Sequence, residues 1–241
     1  MIAARQTGMI VGAGGGIGLA ILGEAAHRLN PCRIIATHRQ PVSSVEEQIS
    51  WLDLNFDDPA QLARQAEHIA QDLESLDYLI FASGLLHGDA ISPEKKLGDW
   101  DAHQFQQVMW VNAGAPLTVF ASLQPALSKS PQPKVMFLSA QIGSISDNQS
   151  GGWYSYRMSK AALNMGVRTA AIEAARWRNA ASIVAVHPGT TTSALSKPFT
   201  QRRRNLSTPT QTARQLVELL VNLTPAQSGL LLNRDGSVLP W

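Results

Sequence analysis

The stretch GMIVGAGGGIGLAILGEAAHRL, residues 8–29, decides the fold of this chain. It begins with a short apolar run at 8–12, typical of a buried strand, and continues with apolar residues at helical spacing over 18–29. Between them, VGAGGGIG at 11–18 follows a G-x-x-x-G-x-G pattern. A purely structural strand–helix turn can also use glycine. Glycines after a first strand, however, let the backbone approach a pyrophosphate at a helix N-terminus, so we predict a dinucleotide-binding turn.

Apolar runs alternate with helix-like stretches along the rest of the chain. The predicted strands cover 8–12, 33–37, 49–54, 77–84, 134–139, 181–187 and 228–233, and the predicted helices cover 18–29, 58–76, 101–127, 153–178 and 208–222. Continuously apolar strands separated by helices indicate parallel strands covered on both faces. We therefore predict an α/β fold, a single-domain doubly wound Rossmann fold over residues 1–241 with about seven parallel strands. The polar stretch 193–209 lacks periodicity and is the predicted substrate lid.

Composition limits the classes of protein to which the chain can belong. It has 241 residues, of which 44% are apolar and 16% charged, so a sizeable core is expected and wholesale disorder is not. A net charge of +2 is too small to favour nucleic acid or a membrane surface. Cys32 is the only cysteine, and no secretory signal or membrane-length apolar run is visible. We expect a cytoplasmic protein with no nucleic-acid or membrane partner.

Two side chains predict the chemistry. Tyr156 and Lys160 are four residues apart in the helix predicted over 153–178, so both lie on one face. The pKa of an unperturbed tyrosine is about 10, and a nearby ammonium lowers it by favouring the phenolate. Such a tyrosine can protonate the oxyanion that hydride transfer to a carbonyl leaves. Tyr154 would face roughly 200° away from Tyr156, so we predict that it lines the pocket or packs.

The end of the second predicted strand bears on which nicotinamide cofactor is used. Sites that prefer NAD carry an acidic residue there to bind the ribose 2′-hydroxyl. Here the sequence is ATHRQP at 36–41, with no acid and with Arg39. A guanidinium suits a 2′-phosphate, whereas the alternative interpretation is a solvated surface arginine. We predict NADP(H) in preference to NAD(H).

With these motifs in this order, the chain resembles the short-chain dehydrogenase/reductase family along essentially its whole length. The family's TGxxxGIG turn is matched with Val11 in place of threonine, its NNAG motif by FASG at 81–84, and its YxxxK motif by YRMSK at 156–160. VNAGAP at 111–116 matches its mid-helix asparagine motif, and HPGTTTS at 187–193 matches the segment beside the nicotinamide. The stretch 143–164 and the ending RDGSVLPW are similar to the C-factor-like branch of the family.

The resemblance implies a role for each matched residue. Asn112 would support a water-linked proton relay from Lys160, and Lys160 would also hold the nicotinamide ribose. Asp53 would meet the adenine. Together with Arg39, the implied cofactor-binding residues are Gly12, Gly14, Gly16, Ile17, Gly18, Asp53, Leu54, Ser83, Gly84, Tyr156, Lys160, Pro188, Gly189, Thr191 and Ser193.

One family residue is missing. The family's working serine stands three residues before a glycine, and counting back from Gly143 gives Ala140. That serine donates a hydrogen bond to the developing oxyanion, which alanine cannot do. We predict Ser139 as the replacement donor, provided that the strand breaks there, because neighbouring strand residues face opposite ways. Ser144 is a second candidate.

These observations predict an oxidoreductase that transfers a hydride between NADP(H) and a small carbonyl or alcohol substrate, as a homodimer or homotetramer, with no metal. Tyr156 is its acid/base, and Lys160, Asn112 and Ser139 assist. Two alternatives stay open. Ala140 and the altered FASG motif are compatible with a dinucleotide-binding signalling protein with weak or lost catalysis, and a pteridine-type reductase is the third hypothesis.

Overall fold

The computed structural model describes residues 6–29, 31–38, 47–200 and 206–241. Within these ranges the strands are β1 (Gln6–Val11), β2 (Pro31–His38), β3 (Ile49–Asp53), β4 (Tyr78–Phe81), β5 (Lys134–Leu138), β6 (Ser182–His187) and β7 (Leu231–Asn233). The α-helices are α1 (Gly16–Arg28), α2 (Pro59–Gln71), α3 (Ala102–Met109), α4 (Ala115–Leu127), α5 (Tyr154–Ala174) and α6 (Pro209–Asn222).

The strands form one parallel sheet in the order β3-β2-β1-β4-β5-β6-β7. The chain begins in the middle of the sheet, runs outward through β2 and β3, and returns to the other side of β1 at β4. The predicted seven-stranded, doubly wound Rossmann fold is therefore confirmed. In such sheets ligands bind beyond the carboxyl ends of the strands, at the point where the strand order reverses, here between β1 and β4.

Each face of the sheet is covered by its own helices. Met9 and Val11 of β1 pack on the face that α2, α4 and α5 cover, whereas Ile10 packs on the face that α1 and α6 cover. This alternation follows from the two-residue period of a strand. Because both faces are covered, the central strands are largely apolar, which made them visible in the sequence. None of the helices in the described ranges combines the length and apolar character that a membrane span needs.

Helix ends follow the sequence where the local signal is strong. The side chain of Asp58 accepts hydrogen bonds from the backbone N–H groups of Ala60 and Gln61, and Pro59 is the first residue of α2. The pair Asp58–Pro59 in the sequence indicates such a helix start, because an aspartate satisfies N–H groups that have no partner inside the helix and proline suits the first helical position. The far ends were predicted too long, since α2 ends at Gln71 and α5 at Ala174.

The stretch predicted as a helix over 101–127 is helical from Ala102 to Leu127, but a π-helical turn that was not predicted interrupts its α-helical geometry. α3 ends at Met109, residues Trp110–Gly114 form a π-helical turn, and α4 continues from Ala115. A π turn accommodates an extra residue and is frequent at functional sites. Asn112 lies in the middle of this turn.

Candidate active site

The glycine turn lies between β1 and α1 at the carboxyl edge of the sheet. Gly12 has φ +84°, and a Cβ there would lie 2.7 Å from the backbone nitrogen of Ser83. A Cβ at Gly18 would lie 2.2 Å from the carbonyl oxygen of Gly12. The turn can therefore be this tight only with glycine at both positions. Gly14, Gly15 and Gly16 are exposed, and Gly15 caps α1 without a side-chain hydrogen bond, so the helix N-terminus is open to an anion.

Other predicted cofactor residues follow the neighbouring strands. Asp53 ends β3 and is exposed, whereas the Leu54 side chain is buried and its N–H donates to the carbonyl of His38 at 3.5 Å. Gly84 is exposed beyond the end of β4, and a Cβ there would lie 3.8 Å from Lys160 Nζ. Arg39 lies outside the described residues. The structure thus brings the glycine turn, the end of β3 and the end of β4 to one edge, as a bound dinucleotide requires.

Tyr156 and Lys160 share one face of α5. Lys160 Nζ lies 5.8 Å from the centre of the Tyr156 ring, and it donates a hydrogen bond to the carbonyl of Leu138 at 2.9 Å. Lys160 is buried and Tyr156 is half-buried. Burial lowers the pKa of Lys160 to about 8 and raises the pKa of Tyr156 to about 12. The expected lowering of the tyrosine pKa is therefore outweighed by desolvation of the phenolate.

Asn112 connects three parts of the site. Its Nδ2 donates to the carbonyl of Leu85 at 2.8 Å and to Ser159 Oγ at 3.0 Å, while its Oδ1 accepts from the N–H of Leu85 at 2.7 Å. The π turn sets this side chain between the loop after β4 and helix α5. Gly114 makes the turn possible, because a Cβ there would lie 2.5 Å from the Trp110 ring.

The two candidates for the oxyanion donor, Ser139 and Ser144, are in different surroundings. The N–H of Ser139 still pairs with the carbonyl of Val186 at 2.8 Å, so strand pairing continues through this residue. Its side chain therefore faces the layer of α5, where its hydroxyl donates to Asn164 Oδ1 at 2.6 Å. β5 ends at Leu138, but the N–H of Ser139 keeps its pairing with Val186 and its hydroxyl is bonded to Asn164 rather than turned into the site. Ser144 Oγ accepts from the N–H of Asp147 at 3.2 Å, and Ala140 is partly exposed.

The segment after β6 reaches the glycine turn. Gly189 has φ +73°, and Thr191 is buried with its hydroxyl 2.8 Å from that of Thr212. Ser193 approaches the turn, since a Cβ on Gly16 would lie 3.9 Å from its side chain. Pro188 receives a hydrogen bond on its carbonyl from Arg234 at 3.4 Å.

Arg234 organises this segment and was missed at the sequence level. Besides Pro188, its guanidinium donates to Ser207 Oγ at 2.6 Å, so it links the residues just after β6 to the far end of the predicted lid. The neighbouring His187 has its pKa lowered to about 4, first by burial and then by the Arg234 charge, and it is neutral. Within the described residues no group of three or more potential ligands could hold a metal ion.

Aromatic side chains line the site beside Tyr156. The ring of Trp153 lies 6.2 Å from that of Tyr156 and 4.8 Å from that of Phe199, and His87 lies 5.6 Å from Phe199. His87 Nε2 also lies 3.1 Å from the carbonyl oxygen of Leu195. Phe199 of the predicted lid therefore packs against Trp153 at the start of α5, whereas residues 201–205 lie outside the described part. The Trp153 ring, between Tyr156 and Phe199, is thus part of this aromatic wall.

The fold and this edge of the sheet are those of a dinucleotide-dependent oxidoreductase, and comparisons with known proteins agree. Residues 6–204 match the family model described as short chain dehydrogenase. The chain therefore belongs to the short-chain dehydrogenase family. Its members are oxidoreductases that bind a nicotinamide dinucleotide and act on small molecules.

Three similar proteins place the chain within this family. It is 30% identical over 177 residues to 1-hydroxy-2-glutathionyl-2-methyl-3-butene dehydrogenase of Rhodococcus, covering 73% of each chain. It is 31% identical over 145 residues to C-signal of Myxococcus xanthus, covering 60% of this chain and 83% of that one. NADPH-bound carbonyl reductase from chicken fatty liver is 25% identical, with a TM-score of 0.85 over 98% of this chain and 94% of that one. The resemblance to C-factor-like relatives is thus confirmed.

Proposed function

We propose that the protein is an NADP(H)-dependent carbonyl reductase that interconverts a small carbonyl compound and its alcohol. The observation that carries the proposal is the position of Tyr156 and Lys160, whose ring and ammonium lie 5.8 Å apart beside Gly84 and the glycine turn. The implied cofactor fits, because the glycine turn leaves the start of α1 open and Gly84 has no side chain over Lys160. When bound, the reduced nicotinamide supplies the hydride.

In this proposal Tyr156 supplies the proton. With a pKa of about 12 its phenol is protonated at neutral pH, as a general acid must be. The phenol hydrogen-bonds to the carbonyl oxygen of the substrate and gives up its proton as that oxygen gains negative charge. Lys160, with a pKa of about 8, can return a proton near neutral pH. The high tyrosine pKa favours the reductive direction, because alcohol oxidation needs the phenolate.

Asn112 supports this arrangement as a positioning residue. Its hydrogen bonds join the loop that carries Gly84 to Ser159, which precedes Lys160. We propose that this connection holds the lysine in register with the end of β4. A water-linked relay from Lys160 past Asn112 to solvent stays a prediction.

The preference for NADP(H) rests on the end of β2. Thr37 and His38 end the strand, and Arg39 follows them directly. The stretch ATHRQP at 36–41 contains no acidic residue. An arginine can bind a 2′-phosphate as a charge-assisted pair. A similar chain, the chicken carbonyl reductase, was solved with NADPH. We expect Arg39→Ser to raise KM for NADPH at least tenfold while leaving KM for NADH unchanged. This is the order of magnitude expected from the loss of one charge-assisted pair.

The deciding experiment measures NADPH oxidation with a panel of aldehydes, ketones, quinones and pterins. We expect turnover by the wild type and a loss of about 10²–10⁴-fold in kcat for Tyr156→Phe. Tyr154→Phe is the matched control, because it removes a phenol two residues away and should leave kcat within about twofold. Absence of wild-type turnover, or unchanged turnover by Tyr156→Phe, would contradict the proposal.

One observation favours a second candidate, a dinucleotide-binding signalling protein with weak catalysis. Ala140 has no hydroxyl, and the hydroxyl of Ser139 is already bonded to Asn164. The similarity to C-signal is compatible with this hypothesis. It predicts tight binding of NADPH in a fluorescence titration with no turnover on any substrate of the panel. Turnover of pterins alone would instead support the pteridine-type reductase.

We also propose that the protein is a homodimer or homotetramer. Met158, Met165 and Ile172 repeat every seven residues on α5 and are exposed, 68% in the case of Met165. An apolar stripe of this kind is typical of an interface between subunits. Sedimentation equilibrium tests this, and a monomer at micromolar concentration would contradict it.

A further inference from the structure

The start of α5 has no cap of its own. Gly151, Gly152 and Trp153 all have positive φ, and Trp153 is the one non-glycine residue with this conformation in the described ranges. Trp153 occupies the cap position but forms no side-chain cap hydrogen bond. The first N–H groups of a helix need acceptors from outside the helix, and a left-handed residue is unfavourable unless its surroundings hold it. Something distant in sequence must therefore fix the turn that carries Tyr156.

Glu94 supplies those acceptors. Its carboxylate accepts from the N–H of Ser155, at 3.2 Å to Oε2 and 3.4 Å to Oε1, and Oε1 also accepts the Ser155 hydroxyl. Its backbone carbonyl accepts the N–H of Trp153 at 2.5 Å. The carbonyl lies over Gly152, where a Cβ would come within 3.3 Å of it. The side chain of Glu94 therefore binds Ser155 and its backbone carbonyl binds Trp153, the two residues that flank Tyr154.

Glu94 is itself buried and braced. It is 2% exposed, and within the described ranges neither of the ion pairs found includes it. Gln104 Nε2 donates to Oε1 at 3.0 Å, and Gln104 Oε1 accepts the N–H of Ser92 at 2.9 Å. A buried carboxylate persists when hydrogen-bond donors and a helix N-terminus compensate its charge. A side chain needed for capping alone could have stood in α5 itself.

We propose that Glu94 is a positioning residue for the active site. Its hydrogen bonds hold the first turn of α5 in place and so fix the orientation of the Tyr156 side chain and of the Trp153 ring beside it. The proposal rests on the proposed function, since it concerns the geometry of the same acid. The nearby contact of the Trp153 ring with Tyr156 shows how a shift of this turn would reach the phenol. Glu94 does not touch substrate or cofactor in this proposal and acts only through α5.

The Glu94 carboxylate only accepts hydrogen bonds in this network, from Gln104 and Ser155. A variant that places a donor at position 94 therefore tests the proposal. In Glu94→Gln one orientation of the new amide sets its N–H groups against those of Gln104, and the other sets them against the N–H of Ser155. Flipping Gln104 only moves the first conflict to the N–H of Ser92. The double variant Glu94→Gln with Gln104→Glu removes the conflict. The amide introduced at position 94 then donates to the carboxylate introduced at position 104 and still accepts from Ser155. That carboxylate in turn still accepts from the N–H of Ser92.

Asp99→Asn is the matched control for these variants. Asp99 lies in the same loop as Glu94, but its carboxylate binds the N–H groups of Lys95 and Lys96 there and makes no contact with α5 among the hydrogen bonds of the described residues. The substitution therefore changes an acid to its amide close to Glu94 without touching the first turn of α5.

We expect Glu94→Gln to lower kcat by about 10²-fold with KM for NADPH and carbonyl unchanged, since small misplacements of a catalytic group cost this much. Hydrogen–deuterium exchange of residues 153–160 should be faster in this variant. The double variant should restore both readouts, and Asp99→Asn should change neither. If Glu94→Gln does not fold, Ser155→Ala removes one donor without a conflict and should lower kcat roughly fivefold at constant KM.

Three results would overturn the role of Glu94. They are a wild-type kcat in Glu94→Gln, no recovery in a folded double variant, or exchange of 153–160 that Glu94→Gln leaves unchanged. A loss of thermal stability with kcat preserved would mark Glu94 as structural only. Absence of turnover by the wild type is a different outcome, because it contradicts the proposed function itself.

Discussion

Lys160 Nζ donates a hydrogen bond to the carbonyl oxygen of Leu138 at 2.9 Å, which ties helix α5 to the last residue of β5. The ammonium is buried, and no acidic side chain in the described ranges pairs with it. Its charge is therefore held by one main-chain dipole, and burial lowers its pKa to about 8. A buried ammonium in this state should lower the free energy of unfolding at neutral pH.

The first prediction follows from that pKa. Because the pKa of Lys160 is about 8 when folded and 10.5 when unfolded, the unfolded chain binds more protons between these values. Wild-type stability should therefore gain about 2 kcal/mol from this site between pH 7.5 and 10. Lys160→Met should lack that gain. Urea unfolding of both proteins at the two pH values gives the change in the free energy of unfolding for each. Subtracting one change from the other removes the contribution of the titratable groups that the two proteins share. If the free energy of unfolding changes equally with pH in the two proteins, Lys160 keeps its usual pKa when folded.

The second prediction concerns the missing serine. Ala140 has an extended backbone, with φ −151° and ψ 143°, that serine also adopts, and it is partly exposed. Ala140→Ser should add a hydroxyl donor near the oxyanion and raise kcat roughly tenfold, less than an optimised donor contributes. Steady-state kinetics on the best substrate of the panel measures this.

Ser139→Ala is the matched control for that change. Its hydroxyl donates to Asn164, so its loss should leave kcat within about twofold and lower the free energy of unfolding by about 1 kcal/mol. A large loss of kcat in Ser139→Ala, with no gain in Ala140→Ser, would instead identify Ser139 as the oxyanion donor.

The third prediction concerns Asn112. Asn112→Ala leaves the N–H and carbonyl of Leu85 without their partner and should cost about 2–3 kcal/mol of stability. Asn112→Asp should be worse, although it is closer in shape. It sets an acceptor against the Leu85 carbonyl and buries a charge. The melting temperature should thus be highest for the wild type, lower for Asn112→Ala and lowest for Asn112→Asp. The reverse order of the two variants would refute the assigned hydrogen bonds.

The fourth prediction compares two glycines. A Cβ at Gly8 would lie 1.9 Å from a ring carbon of Tyr78, whereas a Cβ at Gly23 meets nothing within 4 Å. Gly8→Ala should therefore cost about 3 kcal/mol of stability through overpacking. Gly23→Ala, inside α1, should add about 0.5–1 kcal/mol because alanine loses less backbone entropy. Equal effects of the two substitutions in urea unfolding would argue against the packing of Tyr78 on β1.

The sequence by itself determined the features that obey local rules. Continuous apolar runs predicted the buried strands, Asp58 and Pro59 predicted the start of α2, and the glycine pattern predicted the turn after β1. The four-residue spacing of Tyr156 and Lys160 predicted one shared helical face. Each of these depends on neighbours within a few residues, so no knowledge of packing was needed.

Only the tertiary structure decided how those parts meet. Ser139 turns towards α5 because strand pairing with Val186 continues through it, and the tyrosine pKa rises because packing desolvates the phenol. Glu94 reaches Ser155 across 61 residues of chain, a contact that no local pattern signals. Burial and long-range hydrogen bonds are properties of the assembled layers. The sequence could therefore name the proposed acid, Tyr156, but not Glu94, the residue proposed to hold it in place.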